Sequence, residues 1–214
     1  MMDKINRLSH LFSEFPGIGP RQSKRFVYFL LTRNPEFLDE MVSLISNLKK
    51  EIKSCEDCSR FFQKGASSSA LCEICGDKSR NKSKLMIVSR DIDLETVEKS
   101  GSYNGIYFVL GGSIPILDKN PDDHVRLKKL FAFLDEKIKI DQESAEKQKL
   151  GEIILGLNAN PAGDHTTEFL KNALSSLSSK HGIKISTLGR GLSTGTELEY
   201  SDAETIKNAL KNRA

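Results

Sequence analysis

The chain has 214 residues, 38% hydrophobic and 29% charged, with a net charge of +3 and no tryptophan. That length allows one large domain or two to three small ones, and no apolar run approaches the length of a bilayer crossing. The opening residues Met1–Arg7 lack the apolar stretch of a signal peptide, so a polar, globular, cytoplasmic protein is expected. The charge is unevenly placed: residues 1–53 hold nine Lys/Arg against six Asp/Glu, and the remainder balances at 23 against 23.

Ile5, Leu8, Leu11, Phe12 and Phe15 recur at helical spacing and predict an amphipathic first helix. Pro16-Gly17-Ile18-Gly19-Pro20 breaks it. Glycines at 17 and 19 permit a tight hairpin with exposed backbone N–H groups, and Pro20 suits the first turn of a following helix. That second helix, about Arg21 to Leu31, is expected to turn Phe26, Phe29 and Leu30 inward. Arg21, Lys24 and Arg25 then share one face, within a stretch from Phe15 to Pro35 that has four basic residues and no acid. Helix, hairpin and basic helix together resemble the helix-hairpin-helix motif. The resemblance implies that Gly17, Gly19, Arg21, Lys24 and Arg25 face DNA phosphates without reading sequence; the alternative is a purely structural helical turn. A third helix carries Phe37, Leu38, Met41, Val42, Leu44, Ile45 and Leu48, which would pack the helical domain or a partner subunit.

All four cysteines of the chain fall in one window, as Cys55-x2-Cys58-x13-Cys72-x2-Cys75. Two CxxC knuckles on either side of a short loop fit four thiolates closing tetrahedrally on one structural Zn²⁺. A redox CxxC or two coincidental thiol pairs would not explain the doubled spacing. None of the four histidines lies in the window, which argues against a catalytic zinc. The loop Gly65–Ser69 is loose enough to bring the knuckles together.

Ser79–Lys84 reads as a linker. Apolar strands then follow at Leu85–Val88, Ile106–Leu110, Ile153–Leu157 and Ile183–Leu188. They alternate with helices at Leu94–Lys99, Pro121–Leu134, Thr166–Ser179 and from Asp202 to about Lys211. This alternation predicts an α/β layer with a mainly parallel sheet. Ligands in such layers bind beyond the strand ends, here Ser89–Asp93 and Asn158–Asp164. No GxGxxG or GxxxxGK[ST] is present, so neither a dinucleotide fold nor a P-loop is supported. The charged stretch Lys139–Lys149 reads as a solvated extension without an assigned role.

The order of these parts, with FPGIGPRQSKR (Phe15–Arg25), the four cysteines, YFVLGG (Tyr107–Gly112) and GRGLSTGTELEYSD (Gly189–Asp202), resembles the RecR family of bacterial recombination mediators. Ser193 departs from that family's usual proline. The resemblance implies a multidomain α+β protein. Its parts would be a helix-hairpin-helix DNA-binding domain (1–53), a C4-type zinc finger (54–82), an α/β Toprim-like domain (83–193) and a short C-terminal helical segment (194–214). It further implies a non-enzymatic DNA-repair adaptor, binding single- and double-stranded DNA and assembling as a ring-like tetramer. Such an adaptor would act with RecO-like and RecF-like proteins to help load RecA at single-stranded gaps.

Catalytic Toprim domains need a Glu after the first strand and a DxD pair later, which hold Mg²⁺. Here Ser89 stands at the first place, and Asp164 follows Ala162 at the second. Asp91, Asp93 and Asp164 remain as candidates for a weak metal site, with solvated loop carboxylates the simpler expectation. The competing readings are a Toprim-type nuclease or strand-passing enzyme, a helix-hairpin-helix glycosylase, and a zinc-ribbon protein adaptor that never touches DNA. The first lacks its carboxylates, and the second would need a Lys or Asp poised past the hairpin over a base pocket, where this chain has only a short helical domain before the cysteine window.

Overall fold

The computed structural model describes residues 3–63, 69–118, 120–143, 149–192, 195 and 197–211. Most of the loop expected to join the knuckles, the centre of the 139–149 stretch and Ser193 lie outside the described residues. The chain divides into two compact units, one ending at Lys53 and one beginning at Ser54.

The first unit is helical. Helix α1 (Lys4–Ser13) starts where the Asp3 carboxylate accepts the Asn6 N–H at 2.8 Å. Helix α2 (Pro20–Leu31) has Pro20 in its first turn, where a missing N–H costs nothing. Helix α3 (Pro35–Glu51) is capped by Asn34, whose side chain accepts from the Phe37 N–H at 3.2 Å. The seam between α1 and α2 differs from the expected one. Ser9 and Ser23 are buried with their Oγ atoms 2.9 Å apart, and Val27 lies one turn beyond Ser23. A connection of six residues, 14–19, holds the two helices close, and small side chains suit that approach. Phe26 and Leu30 are therefore only half-buried, and Phe29 is 47% exposed, edge-on to Phe37 with the Arg33 guanidinium 4.0 Å above its ring. Helix α3 buries no residue: Val42, Leu44, Ile45 and Leu48 are 58–64% exposed.

A two-stranded ribbon, β1 (Ile52–Ser54) with β2 (Phe61–Gln63), and the short helix α4 (Glu73–Gly76) carry the cysteines. A four-stranded sheet follows, built from β3 (Asn81–Val88), β4 (Gly105–Val109), β5 (Glu152–Gly156) and β6 (Lys184–Thr187). Its strands run parallel in the order β4-β3-β5-β6, with Leu85 opposite both Ile106 and Ile153. Helices α5 (Asp91–Ser100), α6 (Leu127–Glu143), α7 (Pro161–His181) and α8 (Ala203–Lys211) complete the unit.

Successive strand side chains point to opposite faces, and both faces are covered. Leu85, Ile87, Phe108, Ile153 and Leu155 pack with Leu130 and Leu134 of α6 and Leu170 and Leu174 of α7. Met86, Val88, Tyr107 and Val109 pack with Leu94 of α5 and with Cys55, Cys58, Cys72 and Ile74. This double burial explains the unbroken apolar runs in the central strands. Three expectations change. The supposed linker contributes Asn81–Lys84 to β3, because its alternating polar residues form the exposed entry of that strand. The helix expected from Pro121 is a single 3-10 turn, Pro121–Asp123, before α6 starts at Leu127. Helix α7 begins at Pro161 rather than Thr166, because the Asn160 side chain accepts the Gly163 N–H at 2.8 Å. Among the described residues, no helix is long and apolar enough to cross a membrane.

Candidate metal centre and nucleic-acid interface

The first knuckle follows β1, and the second opens α4, with Cys72 as its N-cap. The knuckle Cys55–Cys58 closes through Ser59 N–H to Cys55 O at 3.0 Å and Cys55 N–H to Arg60 O at 2.8 Å, with Ser59 in the left-handed region at φ 61°. These turns bring all four Sγ atoms within 4.8 Å of one another, with Cys58 and Cys72 at 3.6 Å. A tetrahedral zinc with bonds of about 2.3 Å sets its sulfurs about 3.8 Å apart, so the donor set fits such an ion. The four cysteines form no disulfide, three are buried, and Cys75 is half-buried. Hydrogen bonding from Cys58, then Cys72, favours the Cys55 thiolate, while the surrounding sulfurs and burial push the Cys75 thiol up. Four sulfurs this close cannot all ionise without a cation among them. Among the described residues this is the one convergence of three or more candidate metal-binding side chains.

The cysteine lobe is fastened to the sheet. Val109 N–H donates to Cys58 O at 2.8 Å, and Arg126 Nη1 donates to Ser59 O at 2.9 Å and Val109 O at 3.1 Å. Gly111 makes room for this guanidinium: a Cβ there would lie 3.2 Å from Arg126 Nε. Lys137 pairs with Asp57 at 2.9 Å. At the lobe's exit, Arg80 forms a two-pronged ion pair with Glu98, which also accepts the Tyr107 hydroxyl at 2.6 Å. The Arg80 hydrogen bonds, with that from Tyr107, hold the Glu98 carboxyl below its ordinary range. Arg126, Arg80 and Glu98 escape sequence reading because nothing local distinguishes them from solvated charges.

The carboxylates considered for a second metal site do not converge. Asp91 accepts the Phe61 N–H at 2.7 Å, and Asp93 accepts the Arg90 N–H at 2.9 Å at the start of α5. Asp164 is ion-paired with Arg190, whose guanidinium lowers its carboxyl below the usual range. They are thus engaged in structural contacts rather than merely solvated. A cleft of 680 Å³ opens beyond β5 and β6, where α/β sheets bind ligands, lined in part by Leu155, Asp164, Lys171 and Arg190. Ser89 is buried at the end of β3, and its Oγ meets no hydrogen-bond partner among the described residues. Among the described residues, no cluster of three or more carboxylates gathers here as a metal site for phosphoryl chemistry would require.

In the first unit, the hairpin is a turn closed by Ile18 N–H to Phe15 O at 3.1 Å, with Gly17 at φ +78°. A Cβ added at Gly17 or Gly19 would meet nothing within 4 Å, so the hairpin backbone is open to approach. Gly19 caps α2 without a side-chain hydrogen bond, and no acid occupies its first turn. Arg21, Lys24 and Arg25 are exposed along the same two turns. Open amides, the positive end of a helix and three cations form a surface suited to anions.

Residues 83–189 match the Toprim domain family, and residues 191–214 match the family described as RecR, C-terminal. Over the whole length, the chain is similar to Recombination protein RecR of Bifidobacterium adolescentis, with 32% identity across 98% of this chain and 94% of that protein. It is likewise similar to Recombination protein RecR of Legionella pneumophila strain Philadelphia 1, at 31% across 100% and 97%, and to that of Chloroflexus aggregans, at 31% across 98% and 92%.

Proposed function

Since the chain belongs to the RecR family of recombination proteins, we propose that it serves recombinational DNA repair as a non-enzymatic, DNA-binding adaptor. In this role it acts with RecO-like and RecF-like proteins to help load RecA at single-stranded gaps, as a ring-like tetramer. The observation that carries DNA binding is the acid-free start of α2, where open hairpin amides adjoin Arg21, Lys24 and Arg25. Gly17 and Gly19 let the phosphate approach the backbone, and the three cations neutralise neighbouring phosphates. The absence of enzyme activity is supported by Ser89 at the end of β3 and by the pairing of Asp164 with Arg190.

The metal is Zn²⁺, held by Cys55, Cys58, Cys72 and Cys75, because four soft thiolates in a closed tetrahedral set leave no open position. It supplies cohesion, tying the two knuckles into a lobe that covers part of the sheet. The division of labour is a DNA-binding segment at 1–53, a zinc finger at 54–82, a Toprim-like domain at 83–193 and a C-terminal segment at 194–214.

The experiment is DNA affinity measured across a salt series for the parent chain and an Arg21→Ala/Arg25→Ala variant. Removing one cation from a phosphate should flatten the log–log salt slope by roughly 0.7 to 0.9. The variant should bind every sequence more weakly while zinc content and solution mass stay the same. An unchanged affinity and slope would remove the DNA-binding role from this hairpin.

A further inference from the structure

We propose that Tyr28 is a stacking platform for an unpaired base of single-stranded DNA, set within the basic face of α2. The residue stands three positions after Arg25, four after Lys24 and seven after Arg21, a spacing that puts all four side chains on one face of the helix. Tyr28 is 55% exposed there. The Cα–Cβ bond of a helical residue tilts toward the helix N-terminus, so this side chain leads back over the cations toward the hairpin.

The packing of the first unit makes no use of this ring. Phe26 meets Phe12 edge-on with ring centroids 5.8 Å apart, and Phe29 meets Phe37 at 6.4 Å. The seam with α1 is made by Ser23 and Val27. Among the described residues, Tyr28 has neither a ring partner nor a hydrogen-bond partner. A single exposed tyrosine is ordinary on a protein surface. Its place amid three cations, on the one side of α2 that no neighbouring helix uses, is what assigns it a role.

The surrounding charge selects a nucleic acid. The carboxylates of the first unit are Asp3 and Glu14 at the ends of α1, and Glu36, Asp39, Glu40 and Glu51 on α3. Among the described residues, none of them pairs with Arg21, Lys24 or Arg25. Unpaired cations beside an aromatic ring are the combination that holds single strands: the cations track phosphates while a base stacks on the ring. In a duplex each base is already stacked on its neighbours, so Tyr28 meets no free base face there. The cations thus serve both forms of DNA, and Tyr28 gives a preference for the unpaired one. This inference rests on the DNA-binding reading of the same face and adds to it which form of DNA the face favours.

The test measures the affinity of the full-length chain for a single-stranded oligonucleotide, for its duplex, and for a strand of the same length made of abasic nucleotides. The parent is compared with Tyr28→Ala and Tyr28→Phe. Tyr28→Ala should bind the single strand about ten-fold more weakly, the scale of one lost base stack, and should bind the duplex and the abasic strand as the parent does. Tyr28→Phe should match the parent on every probe, because the ring and not the hydroxyl stacks. Zinc content and solution mass should hold in both variants. Equal losses by Tyr28→Ala on all probes, no loss on the single strand, or a Tyr28→Phe as weak as Tyr28→Ala would overturn the stacking role and leave the hairpin's phosphate contacts standing. A lower solution mass for Tyr28→Ala would make the ring part of a contact between copies of this chain, which also overturns the proposal. A parent chain that binds none of the probes would overturn the DNA-binding reading and the stacking role together.

Discussion

Glu98 joins three parts of the second unit through one carboxylate: the exit of the cysteine lobe at Arg80, helix α5 on which it sits, and Tyr107 of β4. Because the Arg80 hydrogen bonds lower its pKa, the folded chain binds the Glu98 proton less readily than the unfolded chain does. Its stabilisation is therefore complete above about pH 4.3, the ordinary value for Glu, and disappears as the pH falls through the lowered value. Glu98→Gln cannot take the charge and leaves Arg80 with only the Asp77 carboxylate, 3.9 Å away, and the Gly105 carbonyl. We expect a loss of about 1–3 kcal/mol at pH 7 and a shallower decline in stability between pH 5 and 3. Urea unfolding at several pH values measures both, and an acid limb as steep as the parent's would discharge Glu98 from this role. At the same scale, Asp91, Asp93 and Asp164 are loop and helix-start carboxylates given over to structural contacts. Asp91 anchors β2, Asp93 caps α5, and Asp164 holds Arg190.

Among the elements, the cysteine lobe has the widest influence, because its buried sulfurs lie against the same sheet face as Met86, Val88, Tyr107 and Val109. Stripping the metal from the thiolates should loosen that face and not merely the knuckles. Metal binding at such sites is largely folding free energy, so chelation or Cys72→Ser should expose the Val109 amide, which donates to Cys58 O. Hydrogen exchange at Val109 should then quicken at least ten-fold, and zinc should fall below half an equivalent in the variant. Protection of Val109 that survives metal loss would show the lobe to be a passenger on the sheet. Most elements are legible in the sequence because their signals are local. Helical spacing and Pro20 mark α1 to α3, and the doubled CxxC marks the lobe. The inward face of α2 is misleading in sequence because Phe26 and Phe29 are the more apolar residues, whereas the close helix pair admits Ser23 and Val27. The clamp at Arg126 is invisible there because its partner Ser59 lies 67 residues away, and no periodicity encodes such a pairing.

For the molecule as a whole, the apolar stripe of α3 is a candidate surface for assembly. Val42, Leu44, Ile45 and Leu48 lie exposed along one helix, a patch of the kind that marks protein–protein association. If assembly covers it, Ile45→Asp should lower the solution mass, measured by light scattering, at least to the next smaller oligomer while zinc content holds. An unaltered mass would assign the assembly to other surfaces. The strand order carries a consequence for how the chain comes off the ribosome. Its central strand β3 needs β4, made soon after, and β5, which starts 64 residues after β3 ends. The cysteines are all synthesised before either neighbour. A nascent chain can thus close its metal knuckles while one long edge of β3 is still bare, and unpaired strand edges invite aggregation. If the knuckles hold zinc, a chain made without it would pass through that interval with the Met86 and Val88 face of β3 uncovered as well, and a larger share of it should be recovered as insoluble chains.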